Sequence, residues 1–284
     1  MFRYVFRCMT NKQEWFSKKL KWRKHMKTNY HTHTQRCLHA QGTEEDYIRA
    51  AITGGLSVLG FSDHAPFPDH DFCLRMPYSE LEEYLRSIDA LTARYSADII
   101  LYKGLEIEYL PEYCDYYEQL LTEKGLNYLL LGEHFYHERP GGLCNITQAA
   151  DTLTYVDYAH AVADAMKTGF FKAVAHPDIF AMNKFAWDSN CVKATEIIID
   201  AALKTDTMLE FNANGFRRGI HSYPDGERYM YPHKAFWAMV AETDIRVVVG
   251  SDCHNPSQVW DDAMNNAYSC LQEYGITPLE NISL

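Results

Sequence analysis

Short apolar runs alternate with longer amphipathic segments along most of this chain of 284 residues. The runs have the length and the apolar content of buried strands. The segments between them repeat apolar positions every three to four residues, as helices do. We predict strands at 28–34, 57–64, 99–109, 128–135, 172–177, 208–214 and 246–254. We predict helices near 43–54, 79–94, 111–124, 151–168, 190–205, 232–243 and 256–273.

Parallel βα units are the arrangement that this alternation favours, because strands separated by helices of this length usually pair in parallel. Seven such units in about 250 residues favour an α/β fold with a closed or nearly closed barrel. A doubly wound open sheet is the structural alternative, but the Gly-rich phosphate fingerprint that often accompanies it is absent from the sequence. No linker, repeat or low-complexity stretch divides the chain, so we expect a single barrel domain over 29–284.

The first 28 residues differ in charge from the rest of the chain. They carry nine of the 27 basic residues and only one of the 38 acidic residues, Glu14. We expect residues 1–28 to be a flexible basic extension, or to lie upstream of a natural start at Met26. A basic targeting leader is the alternative, whereas a secretory signal is disfavoured because Arg3 and Arg7 interrupt its apolar core.

Composition excludes several kinds of partner. The net charge of −11 disfavours non-specific binding to nucleic acid. No apolar run approaches the ~20 residues that a membrane-spanning helix needs. The eight cysteines form no C-x-x-C pair, a pattern that suits free thiols in a reducing compartment. We therefore expect a cytoplasmic protein without nucleic-acid or membrane partners, and the sequence does not indicate its oligomeric state.

Side chains that can bind metal ions fall at the C-terminal ends of the predicted strands, where barrel enzymes build their active sites. His31 and His33 alternate along the first strand and therefore share one of its faces. The other candidates are His39, Asp63, His64, Glu106, Glu133, His134, His176, Asp252 and His254. Each alone has an ordinary structural explanation, such as a helix cap. Burying so many polar groups together would be costly without metal ions, so we interpret the set as a metal site.

Histidine and carboxylate ligands without cysteine suit Zn, Mn or Fe. Seven histidines, Glu106 and Asp252 make nine donors, more than one tetrahedral ion needs, so we infer two or three ions. Such ions lower the pKa of a bound water toward ~7 and neutralise a polyanionic transition state. That chemistry favours hydrolysis of phosphate esters or amides.

A phosphate substrate also needs fixed cations. Arg217, in GFRRG at 215–219, is our first candidate for binding phosphate oxygens, and Arg139 is a weaker one. The alternative is that Arg217 and Arg218 are solvated loop charges.

Six motifs occur in one order along the chain: HTHTQRCLH, FSDHAPF, GLEIEY, GEHF, AHPD and GSDCH. Together they resemble the polymerase and histidinol phosphatase (PHP) family, over residues 29 to about 260. The resemblance implies a distorted (β/α)7 barrel with three divalent metal ions. It implies three ligand sets: His31, His33, Glu106 and Asp252; Glu106, His134 and His176; and His39, His64 and His254. Asp63 would then support a ligand rather than bind an ion itself.

Within the family the chain is most similar to histidinol-phosphate phosphatases. The similarity lies in Cys37 of CLH, the APFP after His64, and MPYSELEEYL at 76–85. Leu38, where that subgroup often has Pro, and the stretch 136–150 depart from it.

The implied activity is hydrolysis of L-histidinol phosphate in histidine biosynthesis, by a hydroxide that bridges two metal ions. The implied catalytic residues are Glu106, Asp252 and His254. A phosphoesterase for a nucleotide or sugar phosphate is the alternative. A non-catalytic PHP module is disfavoured because all nine donors are present, and an amidohydrolase because no Lys stands at a strand end to bridge two metals.

Overall fold

The computed structural model describes residues 26–138 and 141–282, and most of the basic extension predicted at 1–28 lies outside them. Its strands are β1 (Thr28–Asn29), β2 (Val58–Phe61), β3 (Ile100–Ile107), β4 (Tyr128–Leu131), β5 (Phe135–His137), β6 (Leu143–Asn145), β7 (Phe171–Val174), β8 (Met208–Asn212), β9 (Ile220–Tyr223), β10 (Gly226–Tyr229) and β11 (Val247–Gly250). Each of the seven predicted strands overlaps one of these.

Seven of the strands form one parallel sheet in the order β1-β2-β3-β4-β7-β8-β11. The sheet curls until its first and last strands meet just beyond their ends. There, Thr32 forms a parallel bridge with Cys253. The His33 N–H donates to the Cys253 carbonyl at 3.0 Å, and the Asp252 N–H donates to the His31 carbonyl at 2.9 Å. The result is the nearly closed seven-strand α/β barrel that the sequence predicts, and not a doubly wound sheet.

The helices are α1 (Glu44–Thr53), α2 (Leu81–Tyr95), α3 (Cys114–Thr122), α4 (Thr154–Thr168), α5 (Ser189–Thr205), α6 (Asn214–Arg217), α7 (Lys234–Ala241) and α8 (Asp262–Glu273). Seven of them lie in the predicted helical segments, and α6 is an addition. Their apolar faces and one face of the strands form the larger hydrophobic core, which includes Leu129 and Leu131. Leu130, between them, points to the other face of β4 and belongs to a second core.

The second core fills the amino-terminal end of the barrel interior. Tyr128, the first residue of β4, lies at its centre and donates its hydroxyl to the Tyr30 carbonyl at 2.7 Å. Gly104 on the neighbouring strand leaves room for the ring, since a Cβ there would lie 2.5 Å from it. Apolar packing at this end leaves the carboxyl end of the barrel for the polar side chains.

Two antiparallel hairpins, β5–β6 and β9–β10, were not predicted. The predicted strand 128–135 is in fact two strands, because the chain leaves the barrel at Gly132. A Cβ at Gly132 would lie 2.3 Å from Glu106 Oε1, so only glycine lets the chain pass that carboxylate without displacing it.

Two further findings concern the environment of the chain. The seven cysteines within the described residues are all free thiols. None of the helices in that part of the chain combines the length and the hydropathy that crossing a membrane requires.

Candidate metal centre

The nine predicted donors come together at the carboxyl end of the barrel. They lie at the ends of the strands β2, β3, β4, β7 and β11 and in the segment that follows β1. Seven of them line or adjoin one small cavity of about 140 Å³, and His31 and His33 lie beneath it, fully buried. The donor atoms of all of them except His134 fall into overlapping groups of the size and spacing that hold metal ions, and one group also includes Cys37.

The first group is formed by His31, His33, Glu106 and Asp252. The two histidine Nε2 atoms are 3.0 Å apart. Glu106 Oε2 lies 3.3 Å from each of them, and Asp252 Oδ1 lies 3.2 Å from His33 Nε2. Donors bound 2.0–2.1 Å from a tetrahedral zinc ion lie ~3.3 Å apart. The four atoms therefore have the spacing that a single ion requires.

The second group shares Glu106 with the first. Its other oxygen, Oε1, lies 2.8 Å from His176 Nε2 and 3.7 Å from His134 Nε2. The two oxygens of one carboxylate thus face two different sets of nitrogen donors. This is the arrangement that a bridging ligand needs.

The third group contains His39, His64 and His254. The Nε2 atoms of His39 and His254 are 2.9 Å apart, and the His64 ring stacks on that of His39. The Cys37 sulfur is 4.0 Å from His39 Nε2, but burial raises the pKa of the thiol to about 12. Burial thus favours the neutral thiol at Cys37, whose sulfur also lies within metal-binding distance of His33 and His254.

Closely spaced polar atoms without well-directed hydrogen bonds in this cluster fit bound cations. Glu106 Oε2 and His64 Nδ1 are buried 3.0 Å apart, yet neither makes a hydrogen bond of suitable geometry within the described part of the chain. Two pairs of histidine nitrogens also approach each other within hydrogen-bond distance, as they do when both bind one ion. Unsatisfied buried polar groups are costly, and divalent ions would satisfy them. The donor set therefore fits the metals that the sequence predicts.

Electrostatics at the site favour ionised carboxylates. Burial alone would raise the pKa of Glu106, but the surrounding histidines outweigh it and hold that pKa well below its usual range. The same balance, with His31 as the main opposing group, lowers the pKa of Asp252. Burial lowers the pKa of His33 to about 3 and that of His64 well below its usual range, so both imidazoles are neutral. Burial opposes protonation of His31 and His176, but the nearby carboxylates outweigh it and raise the pKa of both. Divalent ions bind charged carboxylates and neutral imidazoles, so they would displace those protons.

Several buried groups hold the donors in place. His134 Nδ1 lies 3.0 Å from Glu108 Oε1, and Glu108 also pairs with buried Arg75. Asp63 accepts from the Thr34 N–H at 2.6 Å and from its hydroxyl at 2.9 Å, and does not face the cluster. Sequence reasoning had missed Glu108 and Arg75. Alternation along β3 gives one usable signal, since Glu108 lies two residues beyond Glu106 on the same face.

Arg217 lies away from the cavity. Its Nε donates to Asp261 Oδ2 at 2.7 Å, and its Nη2 donates to the Ser251 hydroxyl at 2.9 Å. Arg218 lines the cavity instead, beside Tyr231. The reason is the geometry of α6, in which consecutive side chains point in directions about 100° apart. The other arginine candidate, Arg139, lies outside the described residues.

A wider cavity of about 610 Å³ lies beside the loop 66–78, which follows β2. Phe67, Phe72 and Arg75 line it, and so does Leu38, the neighbour of His39. The Phe72 ring also contacts Phe135, 5.0 Å away between centroids, which follows His134 in the chain. This cavity is within the usual size range for a small-molecule site.

Comparison with known proteins gives consistent results. The family model of the PHP domain matches residues 29–214. A "Probable histidinol-phosphatase" of Deinococcus radiodurans is 31% identical over 235 residues, covering 81% of this chain and 86% of that protein. The histidinol-phosphatase of Bacillus subtilis is 23% identical over 82% of this chain and 95% of its own length.

Among solved structures, the fold is similar to a histidinol phosphate phosphatase of Lactococcus lactis, which was solved in complex with zinc, L-histidinol and phosphate. The TM-score is 0.68 at 18% sequence identity, over 91% of this chain and 99% of that one.

Proposed function

The chain belongs to the PHP domain family, and on that premise we propose that it is a metal-dependent phosphomonoesterase that hydrolyses L-histidinol phosphate to L-histidinol and phosphate. One observation carries the phosphoesterase proposal. Seven histidines, Glu106 and Asp252 form neighbouring donor groups at the carboxyl end of the barrel, and seven of these nine residues line one cavity together with Arg218. The specific substrate is supported by the relatives, whose names and bound ligands are those of histidinol phosphatases.

The residues of the three groups would hold up to three divalent ions, of Zn, Mn or Fe. Bound there, the ions would supply a water of lowered pKa and would neutralise the oxygens of the phosphoryl group. Glu106 keeps two of the groups in contact through its two oxygens. Asp252 and His254 complete the first and third groups from the same strand end.

Arg218 takes the phosphate-binding role in this proposal. Its guanidinium lines the cavity, and a planar fork of N–H donors matches two phosphoryl oxygens. Arg217 pairs with Asp261, which favours Arg218 over Arg217 for this role. The wider cavity beside the loop 66–78 has room for the alcohol part of the substrate.

A phosphate-release screen tests the proposal. The protein is stripped with a chelator, reloaded separately with Zn²⁺ and Mn²⁺, and assayed on L-histidinol phosphate, an aryl phosphate, mononucleotides and sugar phosphates. Glu106→Gln serves as the inactive control. We expect the highest kcat/KM on L-histidinol phosphate.

Turnover of L-histidinol phosphate no faster than the aryl phosphate would refute the substrate. A higher kcat/KM on a nucleotide or sugar phosphate would favour the alternative of another small phosphate ester. If none of the esters released phosphate in a metal-dependent way, the proposed phosphoesterase activity would be refuted.

A further inference from the structure

Glu210 is a buried carboxylate beside the metal cluster that belongs to none of the ligand groups. It stands in the middle of β8, in the otherwise apolar run MLEF. Its Oε1 accepts from His31 Nδ1 at 2.8 Å. Because a carboxylate can only accept a hydrogen bond, this contact places the proton of His31 on Nδ1. Nε2 then keeps its lone pair for a metal ion, and it lies 3.0 Å from His33 Nε2.

The second oxygen of Glu210 reaches the other ligand groups. Oε2 accepts from the backbone N–H of His176 at 3.1 Å and from the Asn212 amide at 2.8 Å. The same Asn212 amide donates to Asp252 Oδ2 at 3.2 Å, while Asp252 Oδ1 faces the histidines. One carboxylate is therefore connected to three ligands, which come from three different strands.

Two of these ligands have unusual backbone conformations. His176 has φ of 32° and Asp252 has φ of 46°, in the left-handed region that non-glycine residues rarely adopt. Such conformations persist only where neighbouring contacts fix them. The bond from the His176 N–H to Glu210, and the link through Asn212 to Asp252, are contacts of that kind.

A glycine on the neighbouring strand leaves room for the Glu210 side chain. A Cβ at Gly250 of β11 would lie 1.6 Å from Glu210 Oε1. Any other residue at position 250 would displace the carboxylate from His31. The fold thus holds Glu210 at a fixed place beneath the ligands.

We propose that Glu210 is a positioning residue, which sets the tautomer of His31 and holds His176 and Asp252 in the geometry in which the first and second donor groups would bind ions. The proposal rests on the metal binding proposed above. It does not depend on which phosphate ester is hydrolysed, because its test measures Zn²⁺ binding in the absence of substrate.

The test compares two carboxylate-to-amide variants at buried sites. Glu210→Gln keeps the size of the side chain but loses acceptors for His31, His176 or Asn212. Asp178→Asn is the matched control, because Asp178 is equally buried and accepts from the His233 N–H and from Trp237 Nε1, neither of which belongs to a ligand. Zn²⁺ affinity is measured by competition with a chromogenic chelator, and ions per chain by mass spectrometry.

We expect Glu210→Gln to weaken Zn²⁺ binding by about 10- to 100-fold. We expect Asp178→Asn to bind within about threefold of the natural protein. Equal Zn²⁺ binding by Glu210→Gln and the natural protein would overturn the proposal. So would an equal loss in both variants, which would indicate general destabilisation of the barrel.

A second measurement uses the natural protein and does not require a variant to fold. Long-range ¹H–¹⁵N spectra of the zinc-loaded, ¹⁵N-labelled chain report which ring nitrogen of each histidine is protonated. We expect His31 to carry its proton on Nδ1 and to bind zinc through Nε2. Zinc bound through His31 Nδ1 would refute the role of Glu210.

Discussion

Gly132→Ala adds one methyl group beside the carboxylate that the first two ligand groups share. An ideal Cβ at position 132 would lie 2.3 Å from Glu106 Oε1 and 2.6 Å from its Cδ. Ordinary contacts are about 3.5 Å or more, so the carboxylate has to move by about 1 Å. Glu106 Oε2 is 3.3 Å from both His31 Nε2 and His33 Nε2, a spacing that such a shift would destroy.

We expect Gly132→Ala to lower kcat/KM for phosphate release by about 100-fold or more, as misplacement by 1 Å does in other active sites. Overpacking should also lower the free energy of unfolding by about 1–3 kcal/mol, measured by urea denaturation in EDTA. Metal content per chain is measured on the same samples. We expect it to fall, because Glu106 contributes to two of the groups.

Gly142→Ala is the matched control for this substitution. A Cβ at position 142 would meet no atom within 4 Å, and the site lies ten residues along the same segment. We expect its stability to stay within about 0.5 kcal/mol of the natural protein, with full metal content. Full activity and metal content in Gly132→Ala would refute the idea that Gly132 exists to make room for Glu106.

Three further predictions concern residues around the cavity. Arg218→Ala should weaken inhibition by inorganic phosphate by about 10- to 100-fold, because it removes a charge-assisted hydrogen bond. The free energy of unfolding, measured by urea denaturation, should change little. Arg217→Ala should lower the free energy of unfolding by about 1–3 kcal/mol, because it breaks the ion pair with Asp261, and should change phosphate inhibition little. If Arg217→Ala weakened phosphate inhibition without lowering stability, Arg217 rather than Arg218 would be the phosphate-binding arginine. Burial lowers the pKa of His233 to about 4. Between pH 6.5 and 4, the unfolded chain therefore binds a proton at this site that the folded chain does not bind. The free energy of unfolding falls as the pH falls through that window. His233→Asn, which can still accept from the Ala235 N–H, should therefore lose about 2 kcal/mol less than the natural protein between pH 7 and pH 5 in EDTA, and an unchanged loss would contradict this.

The sequence was sufficient to predict the barrel and the clustering of polar side chains at its carboxyl end, because both follow from short-range patterns. Most residues of the seven barrel strands are buried, and polar side chains, histidines among them, stand at the ends of several strands. The grouping of donors into sets came from the resemblance to the PHP family. Spacing along the chain does not reveal that His39 and His254 approach within 2.9 Å.

The features that the sequence did not reveal depend on the exact position and direction of single residues. Arg217 and Arg218 are equivalent in a sequence, and one turn of α6 decides which of them faces the cavity. The stretch 136–150, which matched nothing recognisable, contains most of the β5–β6 hairpin, with strands of only three residues each. Glu210 could have been noticed as an acid inside an apolar strand. Its three connections become visible only once the neighbouring strands are in place.

Metal analysis of the natural protein tests the central claim most directly. The chain is purified without chelators, and its divalent ions are counted by mass spectrometry beside Glu106→Gln and His254→Ala. We predict up to three ions per chain in the natural protein, a loss of two ions in Glu106→Gln, because Glu106 would bind both, and a loss of one in His254→Ala. A natural protein that binds no transition metal ion, or that keeps its full content without Glu106, would contradict the account.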